Sequence, residues 1–381
     1  MSFVFEPLYV ATVLCLLVAG AEWLSRQKYF SYLGSALIAI LATALLANLG
    51  LLPSSRNAPA LYDGIFTYIA PLAIFFLLLD VKLHDLREAG LPMLSLFLLG
   101  AASTMIGVLV SYYLIAPQAH GVEKAFAVAG MFTGTYIGGS VNLNAIALHF
   151  GVAKSGTLFA AINAADNVIT TVWIIATLIL PRVLQGRWPR ELPITASDEI
   201  GAIELESPEK TNVLDFSILL ALGLGSLLLS ELLSRWIPAL PEILTLTTIA
   251  LLLAQLPVVQ RLGGTKVLAY FTVLLFLAVI GAYCDLGALL ANGSVAGILL
   301  AWVTAIVLLH ALILFGIGAL LKQDWAMIAL ASNANIGGAT SAGVLAIAIG
   351  RGDLRLPGIL VGSLGNAIGT YAGFVIAKLL Q

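Results

Sequence analysis

Thr133-Gly134-Thr135-Tyr136-Ile137-Gly138-Gly139-Ser140-Val141-Asn142-Leu143-Asn144 interrupts an apolar run that extends from Ala125 to Phe150. A run of this kind is long enough to cross a bilayer, which takes about 20 residues. Glycine weakens a helix, however, and asparagine competes for its backbone hydrogen bonds. The stretch therefore predicts a transmembrane helix that unwinds near the middle of the membrane. Unwound backbone at that depth is tolerated only where it is buried in protein or lines a wet cavity. Its freed carbonyls can hold a cation, and its half-helix N-termini favour an anion.

The rest of the chain supports the membrane setting. Of 381 residues, 60% are hydrophobic and only 10% are charged, against roughly 25% charged residues in a soluble chain. Window hydropathy and breaker residues predict an all-α, polytopic transmembrane bundle of about 12 segments, within about 11–13. The N-terminus lacks the basic region and cleavage pattern of a signal peptide, so the run from Pro7 to Trp23 is expected to stay as a helix. A net charge of −2 without a Lys/Arg cluster argues against a nucleic-acid partner. Cys15 and Cys284 sit in apolar runs and read as small hydrophobes.

A second string, Ser332-Asn333-Ala334-Asn335-Ile336-Gly337-Gly338-Ala339-Thr340-Ser341, repeats the features of the first. Ile137-Gly138-Gly139 and Ile336-Gly337-Gly338 are offset by 199 residues (137 to 336), and the same offset pairs Gly151 with Gly350, Asn167 with Asn366 and Thr171 with Thr370. The chain thus divides into a first transmembrane repeat (1–181), a polar linker (182–212) and a second repeat (213–381). The linker carries Arg182, Arg187 and Arg190, then turns acidic through Asp198, Glu199, Glu204, Glu206 and Glu209. Its arginines favour a cytoplasmic position. Six segments per half would make the repeats parallel, whereas inverted repeats need an odd number of crossings; the sequence leaves both open.

After each Gly-Gly string comes a helix with a polar stripe. Asn163, Asp166 or Asn167, and Thr170 or Thr171 recur at helical spacing, as do Ser363, Asn366 and Thr370. Asp166 stands alone as an acid between Lys154 and Arg182. A carboxylate at the centre of a membrane segment costs roughly 2.5–3.5 kcal/mol on insertion scales. The functional reading is a ligand for Na⁺ or a titrating group; the structural one is a carboxylate held by polar neighbours. Gly365 takes its place in the second half, so any charged site is asymmetric.

The candidate ion- and substrate-binding residues are Thr135, Tyr136, Gly138, Gly139, Asn142 and Asn144 in the first string; Asn163, Asp166 and Asn167 after it; Ser332, Asn333, Asn335, Gly337, Gly338, Thr340 and Ser341 in the second; and Asn366 and Thr370 after that. The alternative for the Gly-Gly pairs is close helix packing. Asp80 and Asp285 end matching apolar runs and are secondary candidates. His149 and His310 read as interfacial or hydrogen-bonded core residues, because no second metal ligand stands at i+4. Trp23, Trp188 and Trp325 read as interface anchors. No HExxH, GxSxG or paired intramembrane aspartates suggest an enzyme, and no cofactor is implied beyond bound Na⁺.

The Gly134–Asn142 string, the Asn333–Gly338 string and the apolar runs ending in Asp80 and Asp285 resemble the DUF819 family of bacterial and plastid membrane proteins. That family is distantly similar to bile-acid/sodium symporters and cation/proton antiporters. The resemblance implies a panel and a core domain, two crossed discontinuous helices around Gly138 and Gly337 with Asp166 and Asn167 beside them, dimerisation through the panel, and elevator-like movement. Antiporters of that kind carry adjacent acids or an Asn-Asp pair, whereas the order here is Asp166-Asn167. The expected function is an ion-coupled secondary transporter of the cell (inner) membrane, first a Na⁺ or H⁺ symporter of a small polar organic solute, second a cation/proton antiporter. A channel or a non-transporting component is the expectation of another class.

Overall fold

The computed structural model describes residues 3–27, 30, 34–54, 57–190, 211–237, 240–284 and 293–381. Asp285 and the acidic part of the expected linker, Asp198 to Glu209, lie outside the described residues.

The described residues form helices and no strand. In the first half these are α1 (Pro7–Ser25), α2 (Gly34–Asn48), α3 (Ala60–Leu78), α4 (Leu91–Ile115), α5 (Ala125–Gly138), α6 (Ser140–His149) and α7 (Gly156–Arg187). In the second half they are α8 (Val213–Trp236), α9 (Glu242–Ala254), α10 (Thr265–Ala282), α11 (Gly293–Leu320), α12 (Trp325–Ile336), α13 (Gly338–Ala348) and α14 (Arg355–Leu380). Among the described residues, 8 spans are long and apolar enough to cross a membrane; α2, α5, α9 and α13 are apolar but shorter. The protein is a multi-pass membrane protein. Local chemistry sets several helix starts. Pro7 and Pro92 sit in first turns, where a missing N–H costs nothing. Asn212 and Asp324 cap α8 and α12 by accepting from the backbone N–H of Asp215 and Ala326.

The two interrupted segments break where the sequence predicts, but they do not continue across the bundle as crossed broken helices. Each turns back on itself. At the first, Lys124 Nζ donates to the Phe150 carbonyl at 2.7 Å, and the Phe126 and Phe150 rings lie 5.5 Å apart. A straight helix would hold residues 126 and 150 about 36 Å apart at its rise of 1.5 Å per residue. At the second, the Arg351 guanidinium pairs with Asp324, and Ser341 Oγ donates to Asn333 Oδ1 at 2.6 Å. Hence α5–α6 and α12–α13 are helical hairpins. Gly139 makes the first reversal at φ 91°, ψ 179°, and Gly338 the second at φ 78°. Side chains are disfavoured in that backbone region.

The hairpins meet tip to tip along α14. Gly138, at the first tip, faces the backbone of Gly365, while Gly130 faces Gly373, and Phe150, at the open end, stacks near Phe374 at 5.4 Å. The second hairpin runs the other way: its tip residue Ala339 abuts Gly362, and Ala342 and Gly343 pack on Gly358 and Ile359. Both tips therefore reach the turn of α14 around Gly362–Asn366, and their open ends point to opposite ends of that helix. Gly130, Gly134 and Gly138 mesh with Gly373, Gly369 and Gly365 at four-residue spacing. Here the close-packing reading of glycine holds, since a Cβ at Gly130 would lie 2.7 Å from the Gly373 carbonyl oxygen and one at Gly369 2.9 Å from that of Gly134.

Candidate functional site

The first tip delivers Thr135 and Tyr136, both buried, to the middle of α7. There the Asp166 carboxylate faces the hydroxyls of Tyr136, Thr170 and Thr135. The Asp166 side chain is partly buried, but its Oδ1 is enclosed. Oδ1 and the Tyr136 hydroxyl are both shut off from solvent and approach one another less favourably than in a well-formed hydrogen bond. Buried polar groups are nearly always well paired, so this loosely held cluster of a carboxylate and three hydroxyls is the candidate site. Deeper in the same hairpin, Thr370 Oγ1 donates to Asn142 Oδ1 at 2.6 Å, while Asn142 Nδ2 has no protein partner. Asn366 lies half-buried opposite Gly139, and Asn144 is buried on α6.

The polar stripe of α7 resolves into two. Asn163, Asn167 and Thr171 bond back to their own helix: Asn163 Nδ2 donates to Phe159 O at 3.0 Å, Asn167 Nδ2 to Asn163 O at 2.8 Å and Thr171 Oγ1 to Asn167 O at 2.8 Å. Ser363 does the same on α14, to Ile359 O at 3.0 Å. The face turned to the hairpins instead carries Asp166, Thr170, Trp173 and Thr177, at i, i+4, i+7 and i+11.

The second hairpin joins that face about two and three turns beyond Asp166. Trp173 Nε1 donates to Ser332 Oγ at 3.0 Å, and Asn333 Nδ2 donates to Thr177 Oγ1 at 3.0 Å while its Oδ1 accepts from Ser341. Asn335 Nδ2 donates to Phe97 O at 3.1 Å and Ala331 O at 2.9 Å, leaving Oδ1 without a protein partner. Gly337 lies against Asn333 and Ser341, whereas Thr340 is exposed on α13. Asp80 is exposed in the turn after α3, where it has its own interaction.

The sequence reading missed Thr104, Trp173 and Thr177, and gave His310 only a core role. Trp173 and Thr177 carried a usable signal, the continuation of the Asp166–Thr170 period. Thr104 and His310 are single polar residues in long apolar runs, where position alone names no partner. At the open end of the second hairpin, Trp325 is buried rather than an interface anchor. The Arg190 guanidinium stacks 3.6 Å from its ring centroid and donates to Ala319 O at 3.1 Å, and Trp325 Nε1 donates to Trp188 O at 3.0 Å. Burial pulls the Arg190 pKa below its ordinary value, and the nearby Asp324 opposes that shift. Among the described residues no group of three His, Cys, Asp or Glu could hold a metal ion.

The family model described as a protein of unknown function (DUF819) matches residues 8–381. The uncharacterized membrane protein YjcL of Bacillus subtilis (strain 168) is 27% identical over 370 residues, which cover 91% of this chain and 90% of that protein. A family match across nearly the whole chain and a relative matched over 90% of its own length, itself a membrane protein, agree with the helical bundle: the chain belongs to the DUF819 family.

Proposed function

We propose that the chain is an ion-coupled secondary transporter in which Asp166 holds the coupling ion and the meeting hairpin tips hold the solute. The observation that carries this reading is the Asp166 carboxylate enclosed among the hydroxyls of Tyr136, Thr135 and Thr170 at a hairpin tip, with Oδ1 and the Tyr136 hydroxyl held in no well-formed hydrogen bond. Asp166 with Thr135, Tyr136 and Thr170 offers oxygen donors and one negative charge, which suits a small hard monovalent cation; divalent ions favour several carboxylates. A proton on the same carboxyl is the alternative coupling ion. The amides and hydroxyls of Asn142, Asn366, Asn333 and Ser341 suit a small polar organic solute.

Each hairpin leaves the membrane on the side it entered and adds no crossing. The first half then contributes α1–α4 and α7, an odd number, and the second half α8–α11 and α14. The two halves are accordingly inverted; because α7 runs on to Arg187, the linker between them begins at 188 rather than at 182. Inverted repeats meeting at the midplane support alternating access. Elevator-type movement, a homodimer and the cell (inner) membrane belong to the same reading, as does a distant likeness to bile-acid/sodium symporters. Cation/proton antiport is the second mode, favoured by the presence of one carboxylate for which both ions would compete.

The test is thermal stability of the purified protein in detergent, with and without Na⁺ across a pH series, for wild type and Asp166→Asn. Na⁺ at about 100 times its dissociation constant stabilises a folded form by about 2.7 kcal/mol. The expected result is stabilisation in wild type that vanishes in the variant. Stabilisation that survives in Asp166→Asn removes the ion from this site, and no response to Na⁺ at any pH favours a proton-coupled carrier or a channel.

A further inference from the structure

We propose that His310 and Thr104 tie the two hairpin tips together, so that the tips move as one body rather than as independent gates. His310, on α11, is completely buried. Its Nδ1 lies 3.1 Å from the Gly100 carbonyl and 2.9 Å from Thr104 Oγ1, and its Nε2 lies 2.9 Å from Ser332 Oγ. A carbonyl only accepts, so Nδ1 carries the proton, and in the neutral ring Nε2 is the acceptor. Ser332 therefore donates to Nε2 and receives the indole N–H of Trp173. Thr104 receives from Nδ1 and donates its own proton to the Tyr136 carbonyl at 3.1 Å.

The single Nδ1 proton is shared between the Gly100 carbonyl and Thr104 Oγ1, Ser332 and Thr104 each accept one hydrogen bond and donate one, and neither ring nitrogen is left over. The tie runs from α7 through Ser332 of the second hairpin, across α11 and α4, to the backbone of the first hairpin two residues before its tip. Tyr136 is the shared residue: its carbonyl ends the tie and its hydroxyl faces Asp166. If one tip opened alone, a buried imidazole nitrogen or the Tyr136 carbonyl would lose its partner in a low-dielectric interior, where unpaired polar groups are costly. The tie itself stands on geometry. Its consequence, that the state of Asp166 is felt at the second hairpin, rests on the carrier reading above.

Hydrogen–deuterium exchange of the detergent-solubilised full chain tests it, read on peptides covering 134–142 and 332–342. The variants are Thr104→Val and Ser332→Ala, each removing one hydroxyl at one end of the tie, singly and together. Each single variant should speed exchange at both tips by about fivefold, the effect of one net hydrogen bond, and the double variant should be no faster than either. Thr104→Ser, which keeps the hydroxyl, should match wild type; faster exchange there would assign the effect to packing and overturn the proposal. So would acceleration confined to the hairpin nearest each substitution, and that result would leave the ion site untouched. Coupled exchange in a protein that Na⁺ and pH do not stabilise would keep the tie and sink the carrier.

Discussion

Gly138 and Gly365 touch backbone to backbone, and a Cβ on either would overlap the other helix. Gly338 is the converse case: its backbone, at φ 78°, favours glycine, but there is open space around its missing Cβ. The two positions should separate by mechanism. Gly138→Ala forces the hairpin off α14 and should cost more than the roughly 1–3 kcal/mol of ordinary overpacking, while Gly338→Ala should cost only about 1–2 kcal/mol of left-handed backbone strain. Thermal denaturation in detergent compares them; equal shifts would contradict the packing seen at Gly138. A second residue-scale prediction concerns the ion pair that closes the second hairpin. The side chains of Arg351 and Asp324 are 14% and 7% exposed, so Arg351→Gln takes from a nearly buried carboxylate its direct ion-pair partner, leaves it only the nearby Arg190, and also breaks the Arg351–Asp353 pair. The expected loss is about 3 kcal/mol, the lower end for a broken buried pair, and it should change little with added salt because both groups are shielded.

Each hairpin is a local object whose two ends emerge together, and that is testable by chemistry at the ends. Glu123 and Lys154 flank the first hairpin and Gly352 follows the second; all three are exposed. In a background with Cys15 and Cys284 replaced by Ser, Glu123→Cys and Lys154→Cys should react with an impermeant maleimide from one side of the membrane, and Gly352→Cys from the other. Labelling of positions 123 and 154 from opposite sides would mean that the segment crosses and is no hairpin. At this scale the sequence located both interruptions, because Gly-Gly pairs among amides and hydroxyls weaken helices wherever they occur. It also placed Asp166 on a polar helix. It did not separate the face that feeds its own backbone, Asn163–Asn167–Thr171, from the face that meets the hairpins, because adjacent residues on a helix differ by about 100° and only the neighbours decide which direction is inward.

For the whole molecule, the proposed carrier reading predicts saturable, ion-driven uptake rather than a pore. Reconstituted in liposomes, wild type should leave a Na⁺ gradient without solute nearly intact under symport, and Asp166→Asn should abolish any ion-driven uptake while inserting normally. A rapid, unsaturating Na⁺ leak would point to a channel. The sequence by itself determined that the chain lives in a membrane, is helical, and is interrupted at Gly138-Gly139 and Gly337-Gly338, because hydropathy and helix propensity are properties of short windows. The tertiary structure alone decided that each interruption reverses the chain. A Gly-Gly break permits unwinding or reversal equally, and the choice is made by contacts between residues far apart in sequence: Lys124 with Phe150, Asp324 with Arg351, and the glycines of α5 meshed with those of α14.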